Sequence, residues 1–176
     1  MKKTVLALLI VVPLSAQEIK LPPNIEKLAD KAREVVDVTM DGSLLQLASR
    51  FLSGRDADEA RVKKLIAGLK GVYVKSYQFD SRGEYDEKDL DPVRAQLKTP
   101  GWSKIVGVKD RRNNENAEVY IKSDASGIVG LAVIAAEAKE LTIVQIVGSI
   151  QPEDLRDLGG HFGVPRMDFG RKDKED

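Results

Sequence analysis

NAEVYIKSDASGIVGLAVIAAEAKELTIVQIVGSI, residues 116–150, decides the fold. Its second half is the most apolar part of the chain after the N-terminus, so it is a membrane span, a buried helix or a set of strands. A span is excluded by Glu137, Lys139 and Glu140, which interrupt the apolar runs. One charge at a bilayer centre costs roughly 2.5–3.5 kcal/mol, and three close together are hard to offset. A continuous helix is disfavoured because TIVQIV is β-branched and Gly127, Gly130 and Gly148 punctuate the rest. The stretch therefore predicts three strands of a meander turning at DASG and EAKE. Both alternating faces of the last two are apolar, so these strands are central and covered on both sides, by helices or by a partner.

Working outward, WSKIVGVKD adds a fourth strand in front, and RRNNEN, ASG and AKE are connectors of hairpin length. Upstream, Asn24 predicts a helix N-cap, with Ile25, Leu28, Ala29 and Ala32 on one face. VVDVTMD alternates as a strand, with Val36, Val38 and Met40 on one side. A second helix, capped by Ser43, presents Leu44, Ala48, Phe51 and Leu52 to the core. Asp56 and Glu59 have capping-box spacing for a third helix, which carries Val62, Leu65, Ile66 and Leu69 and ends at Gly71. GVYVKSYQFD is a strand with Tyr73, Tyr77 and Phe79 on one side. Pro92 is tolerated only in a first turn, so the next helix starts near Asp89 and ends before Thr99. A last helix starts at Pro152 and stops at Gly159-Gly160. Helices first, then a meander, then a closing helix predict an α+β fold. Its largely antiparallel sheet has a C-terminal four-strand meander and helices packed on one face.

Residues 1–17 have a secretory signal pattern: Lys2 and Lys3, an apolar run from Thr4 to Leu14, then small residues around Ala16. The run is short for a bilayer span. Export to the periplasm is expected; the alternative is an inner-membrane anchor formed by an uncleaved N-terminal segment. Residues 18–165 form one α+β domain and 166–176 a charged, flexible tail. Without Lys2 and Lys3 the charge is 26 basic against 28 acidic residues, which offers nothing to nucleic acid. There is no cysteine, hence no disulfide, thiolate nucleophile or cysteine zinc site.

The search for chemistry is mostly exclusion. Nucleotide-binding glycine loops, a nucleophile elbow and an SxxK pair are missing. His161 is the only histidine, so HExxH is impossible; in LGGHFGVP it reads as part of a helix-terminating loop. Residues 80–91 imitate a calcium loop, but Arg82 and Tyr85 stand where an oxygen ligand and a glycine are needed. Arg111 and Arg112, beside Lys109 at a hairpin tip, are candidate contacts for an acidic partner or phosphate, or a solvated turn. Trp102 is a core anchor or an exposed contact residue. No catalytic, cofactor-binding or metal-ligating residue is assigned.

Several blocks taken in order carry a resemblance: VDVTMDGSLLQLASRFL, RVKKLIAGLKGVYVKSYQFD, PGWSKIVGVKD, AEVYIKSDASGIVGLAVIAAEAKELTIVQIVGSI and EDLRDLGGHFG. Together they resemble the bacterial family catalogued as domain of unknown function 4252, over nearly the whole mature chain. The resemblance implies an exported envelope protein and no catalytic residues. Many members are lipoproteins, but this chain lacks the lipobox cysteine, so lipid anchoring is not implied. Members are often encoded near extracytoplasmic-function sigma factors, which implies a stress-response link. The expectation is a non-catalytic envelope module that binds a protein or small ligand or acts in regulation. It has no cofactor, no nucleic-acid partner and no membrane span in the mature chain, and its partner and oligomeric state are open. The alternative is a small periplasmic hydrolase using dispersed acids and His161.

Overall fold

The computed structural model describes residues 19–52 and 54–152. The expected signal segment, the closing helix, His161 and the tail lie outside the described residues.

Six strands form one antiparallel sheet: β1 (Glu34–Asp41), β2 (Leu69–Gln78), β3 (Trp102–Asp110), β4 (Glu115–Asp124), β5 (Gly127–Ala136) and β6 (Glu140–Ile150). Their order is β1-β2-β6-β5-β4-β3. Strands β3 to β6 are the expected meander, and β2 then pairs with the free side of β6. The apolar pair β5 and β6 is central, as its two apolar faces require. Val133 and Val144 are opposite one another and fully buried.

Each face has its own cover. On one, α2 (Gly42–Phe51) and α3 (Ala57–Gly68) pack over Val72, Val119, Leu131, Val133, Val144 and Ile146. The sequence predicts helices on one face; α2 and α3 share this one, which we call the helix face, but the shorter helices before β1 and between β2 and β3 lie on the other. The other is covered by short pieces: residues 19–22, α1 (Pro23–Glu26) with the 3-10 turn Lys27–Asp30, and the 3-10 turn Glu87–Leu90 running into α4 (Asp91–Gln96). Ile25, Leu28, Leu90, Val93 and Leu97 close over Tyr77, Leu141, Ile143 and Ile134. We call this the strap face, because a continuous helix does not span it.

Three local expectations change. The first helix ends at Glu26, and Asn24 is not its cap; the Asn24 amide donates to the Asp89 carbonyl at 3.1 Å. Asp41, not Ser43, caps α2 by accepting from the Leu44 amide at 2.9 Å. The helix is thereby phased so that Leu45 faces the core, while Leu44, Ala48 and Phe51 are exposed. The third helix ends at Gly68; Leu69 and Gly71 belong to β2.

Candidate functional site

The strap face holds the described buried charges. On β4, alternation places Glu118 and Tyr120 on this face, beneath α4. Glu118 is 4% exposed. One carboxylate oxygen receives Arg94 from α4, with Nε at 2.8 Å and Nη2 at 2.7 Å. The other receives Lys104 Nζ from β3 at 2.7 Å and the Tyr120 hydroxyl. Arg94 also donates to the Glu87 carbonyl at 3.1 Å. Glu87 in turn accepts from Lys109 at 3.0 Å and from the Asn116 amide. The cluster thus ties α4 and its 3-10 turn to the β3–β4 hairpin.

Protonation decides what this cluster can do. Burial alone would raise the Glu118 pKa. Bonds from Lys104 and Tyr120, with the Arg94 charge, outweigh burial and hold the carboxyl below its usual range. Burial and the bond to Glu118 push the Tyr120 phenol up. A general acid or base works best with a pKa near ambient pH. Glu118 stays a carboxylate and Tyr120 a phenol, so the cluster is a fastener. Elsewhere on this face Tyr85 donates to the carbonyl oxygens of Glu137 and Glu140, and burial raises its pKa. Among the described residues no group of acids or histidine is arranged to hold a metal ion. On the helix face Ser76 and Thr142 are opposite each other and share a 2.8 Å hydrogen bond, and the Glu140 carboxylate lies 3.3 Å from the Ser76 hydroxyl and 3.1 Å from that of Thr142, a polar cross-strand cluster joining β2 to β6.

Tyr77, under α1, is fully buried, and its hydroxyl has no hydrogen-bond partner among the described residues. Burial pushes its pKa up to about 12. An unmade buried hydrogen bond costs about 1–3 kcal/mol. Tyr77→Phe should therefore leave chemical stability unchanged or raise it by about 1 kcal/mol, read from the urea midpoint. A loss above about 1 kcal/mol would mean that the hydroxyl has a partner.

The remainder of the strap face is open. The side chain of Gln145, 4% exposed on β6, stands at its centre and accepts from the Ile19 amide at 2.7 Å. Gln96 reinforces this, donating to the Lys20 carbonyl at 2.8 Å and accepting from the Lys20 amide at 3.0 Å. Two hollows meet at Gln145. One, of about 490 Å³, runs toward β1 past Tyr73, Lys75, Thr39 and Asp37. The other, of about 230 Å³, runs toward β3 over Val147 and Gly130 to Trp102 and Lys122.

Glycines shape both ends. Gly71, Val147 and Gly130 lie side by side on β2, β6 and β5. The Tyr73 ring folds over Gly71, where a Cβ would stand 2.9 Å from it. Trp102 lies over Gly130, where a Cβ would come within 3.6 Å of the indole. The result is a trough with an aromatic wall at either side and a valine floor. Lys122 Nζ is 5.9 Å from the centre of the Trp102 ring, and Lys70 lines the same hollow. Asp124 is also there; its carboxylate is held below its usual range first by Ser126, whose hydroxyl and amide it binds.

Of the contacts expected from sequence, Trp102 falls in this trough, half-buried and packed against the strap-face core. Arg111 and Arg112 are exposed in the β3–β4 turn, where Asp110 accepts from the Arg112 amide at 2.8 Å. Arg111 borders a third hollow with Glu87 and Glu137, far from Trp102 along the sheet. Arg111 and Arg112 thus share one turn, Trp102 stands apart from them, and His161 is outside the described residues. Glu118 and Gln145 were missed, although each is a polar residue at a core-facing strand position, between Ala117 and Val119 and between Val144 and Ile146.

Among the described residues no helix is long and apolar enough to cross a membrane. In comparisons with known proteins, neither a curated protein nor a solved structure matches the chain. Residues 29–158 match the family model described as a domain of unknown function, DUF4252, and this covers all six strands. By that match the chain belongs to the DUF4252 family.

Proposed function

We propose that the protein is an exported, non-catalytic binding module of the cell envelope, and that it receives an amphipathic anion in the trough around Gln145. Export rests on the basic, apolar and small-residue pattern of residues 1–17. The non-catalytic reading rests on protonation, since Glu118 is fixed as a carboxylate and Tyr120 as a phenol. The observation that carries the binding reading is the trough itself. Val147 and Gly130 offer an apolar floor to a hydrocarbon or ring, Trp102 a wall, and Lys122 and Lys70 two cations at the rim.

Trp102 is the only tryptophan, so its fluorescence reports on the trough directly. Titration with decanoate below its micelle concentration should give a saturable blue shift, weakened about tenfold by Lys122→Ala. A linear, non-saturating response, or an unchanged midpoint in Lys122→Ala, would contradict this placement of the ligand.

A further inference from the structure

We propose that two copies of the chain pair through β1, antiparallel, with Val38 on the two-fold axis. The two edges of the sheet differ. β3 is guarded by a bulge between Lys104 and Val106 and by Lys104 and Lys109, which are turned over the strap face. β1 has neither a bulge nor a lysine among the described residues, and its only charges are Glu34, Asp37 and Asp41. It pairs with β2 in unbroken register from Glu34 to Asp41, contains no lysine, arginine, proline or glycine, and leaves Val35 and Val36 40% and 39% exposed. A regular edge of this kind offers a row of unpaired backbone groups to another strand.

The acids on β1 select the occupant's register. A two-fold axis perpendicular to the sheet keeps each face on its own side. Since side chains alternate, the axis must then pass through a residue rather than between two. On Asp37 it would oppose two aspartates, and on Thr39 it would oppose Asp37 to Asp41 of the second copy. On Val36 it would leave Thr39–Asp41 without partners. On Val38 no acid opposes an acid. Val36 then faces Met40 of the second copy in an apolar row on the helix face, and Asp37 faces Thr39. Glu34 comes opposite Gly42, the first residue of α2, where the helix dipole favours a carboxylate.

The charge of β1 is also largely satisfied within the chain. Lys75 pairs with Asp37, and Asp41 caps α2. The edge therefore does not need a basic foreign strand. Val38 pairing also brings two copies of α2, which packs on β1 and β2, to either side of the axis. That helix carries Leu44, Leu47 and the 82% exposed Phe51 beyond what its own sheet covers. Thr39 and Asp37 line the hollow beside Gln145, so the second copy's β1 would extend the wall of that hollow. The pairing does not depend on what the trough binds.

The absence of cysteine allows single-cysteine variants to read the register. Under mild oxidation Val38→Cys should cross-link to a dimer in high yield, because only this position opposes itself within disulfide reach. Val36→Cys and Asp37→Cys should remain largely without cross-link under the same oxidation. Sedimentation of the unmodified protein should give twice the chain mass at high concentration. Val36→Lys should return it to a monomer, whereas Thr39→Lys, placed opposite Asp37 of the second copy, should keep the dimer. A monomer at all concentrations, strongest cross-linking at another position, or a dimer that survives Val36→Lys would overturn the proposal.

Discussion

Arg94→Met should lower the stability of the fold by about 3–5 kcal/mol, read from urea denaturation. The substitution keeps most of the side-chain volume and removes one of the two counter-charges of the buried Glu118, the more buried of the two. The loss arises from leaving one oxygen of a desolvated carboxylate without its cation, with Lys104 and Tyr120 holding only the other, rather than from losing a favourable pair. The double variant Arg94→Met with Glu118→Leu should therefore recover much of the stability lost by the single one. If the double variant is as unstable as the single, packing of Arg94 rather than charge carries the effect. The same carboxylate sets an acid limit. Its folded pKa is depressed, so its contribution is complete above the unfolded glutamate value of about 4.3 and is lost as pH falls through the folded value. Glu118→Gln should flatten the decline in stability below pH ~4.

Gly148→Ala should be comparably damaging, at about 3–5 kcal/mol, from strain and overpacking together. Gly148 has φ +139°, where side chains are rarely accommodated. A Cβ there would stand 2.4 Å from the Gly68 carbonyl oxygen and 2.5 Å from Leu69 Cα, both backbone atoms that cannot rotate away. The position lies where β2 bulges between Leu69 and Gly71 and β5 shifts register between Ile128 and Gly130, so the irregularities on both sides of β6 meet at this glycine. Gly127 makes the contrast. Its φ is +115°, but a Cβ would meet nothing within 4 Å, and alanine there should cost only strain, about 1–2 kcal/mol. Equal losses at the two sites, measured by thermal and urea unfolding, would show that crowding at Gly148 is relieved by movement of β2.

Much of this architecture is legible because the period of a strand is short. The runs ending in TIVQIVGSI alternate without a polar face, and that alone places β5 and β6 at the centre under two covers. The strap is less legible. Its cover is made of 3-10 turns and α4, six residues long, and such pieces have too few turns to show a helical period. The α2 helix misleads for another reason. It has apolar residues in two stripes, and only the cap at Asp41 fixes that Leu45 rather than Leu44 faces inward. Glu118 and Gln145 are visible as interruptions, but their partners come from far along the chain: Arg94 from α4, and Ile19 from a segment 126 residues away. No local pattern pairs residues at that distance. The trough depends on the sheet order, which sets Gly71, Val147 and Gly130 abreast. Alternation does not specify that order.

The central claim, a binding trough beside a purely structural charge cluster, is tested most directly by following backbone amide resonances during the decanoate titration. Saturable shifts are expected at Gly130, Gln145, Val147, Trp102 and Lys122, with Arg94 and Glu118 unmoved. Shifts centred on Glu87 and Glu118, or no saturable shifts at all, would contradict it.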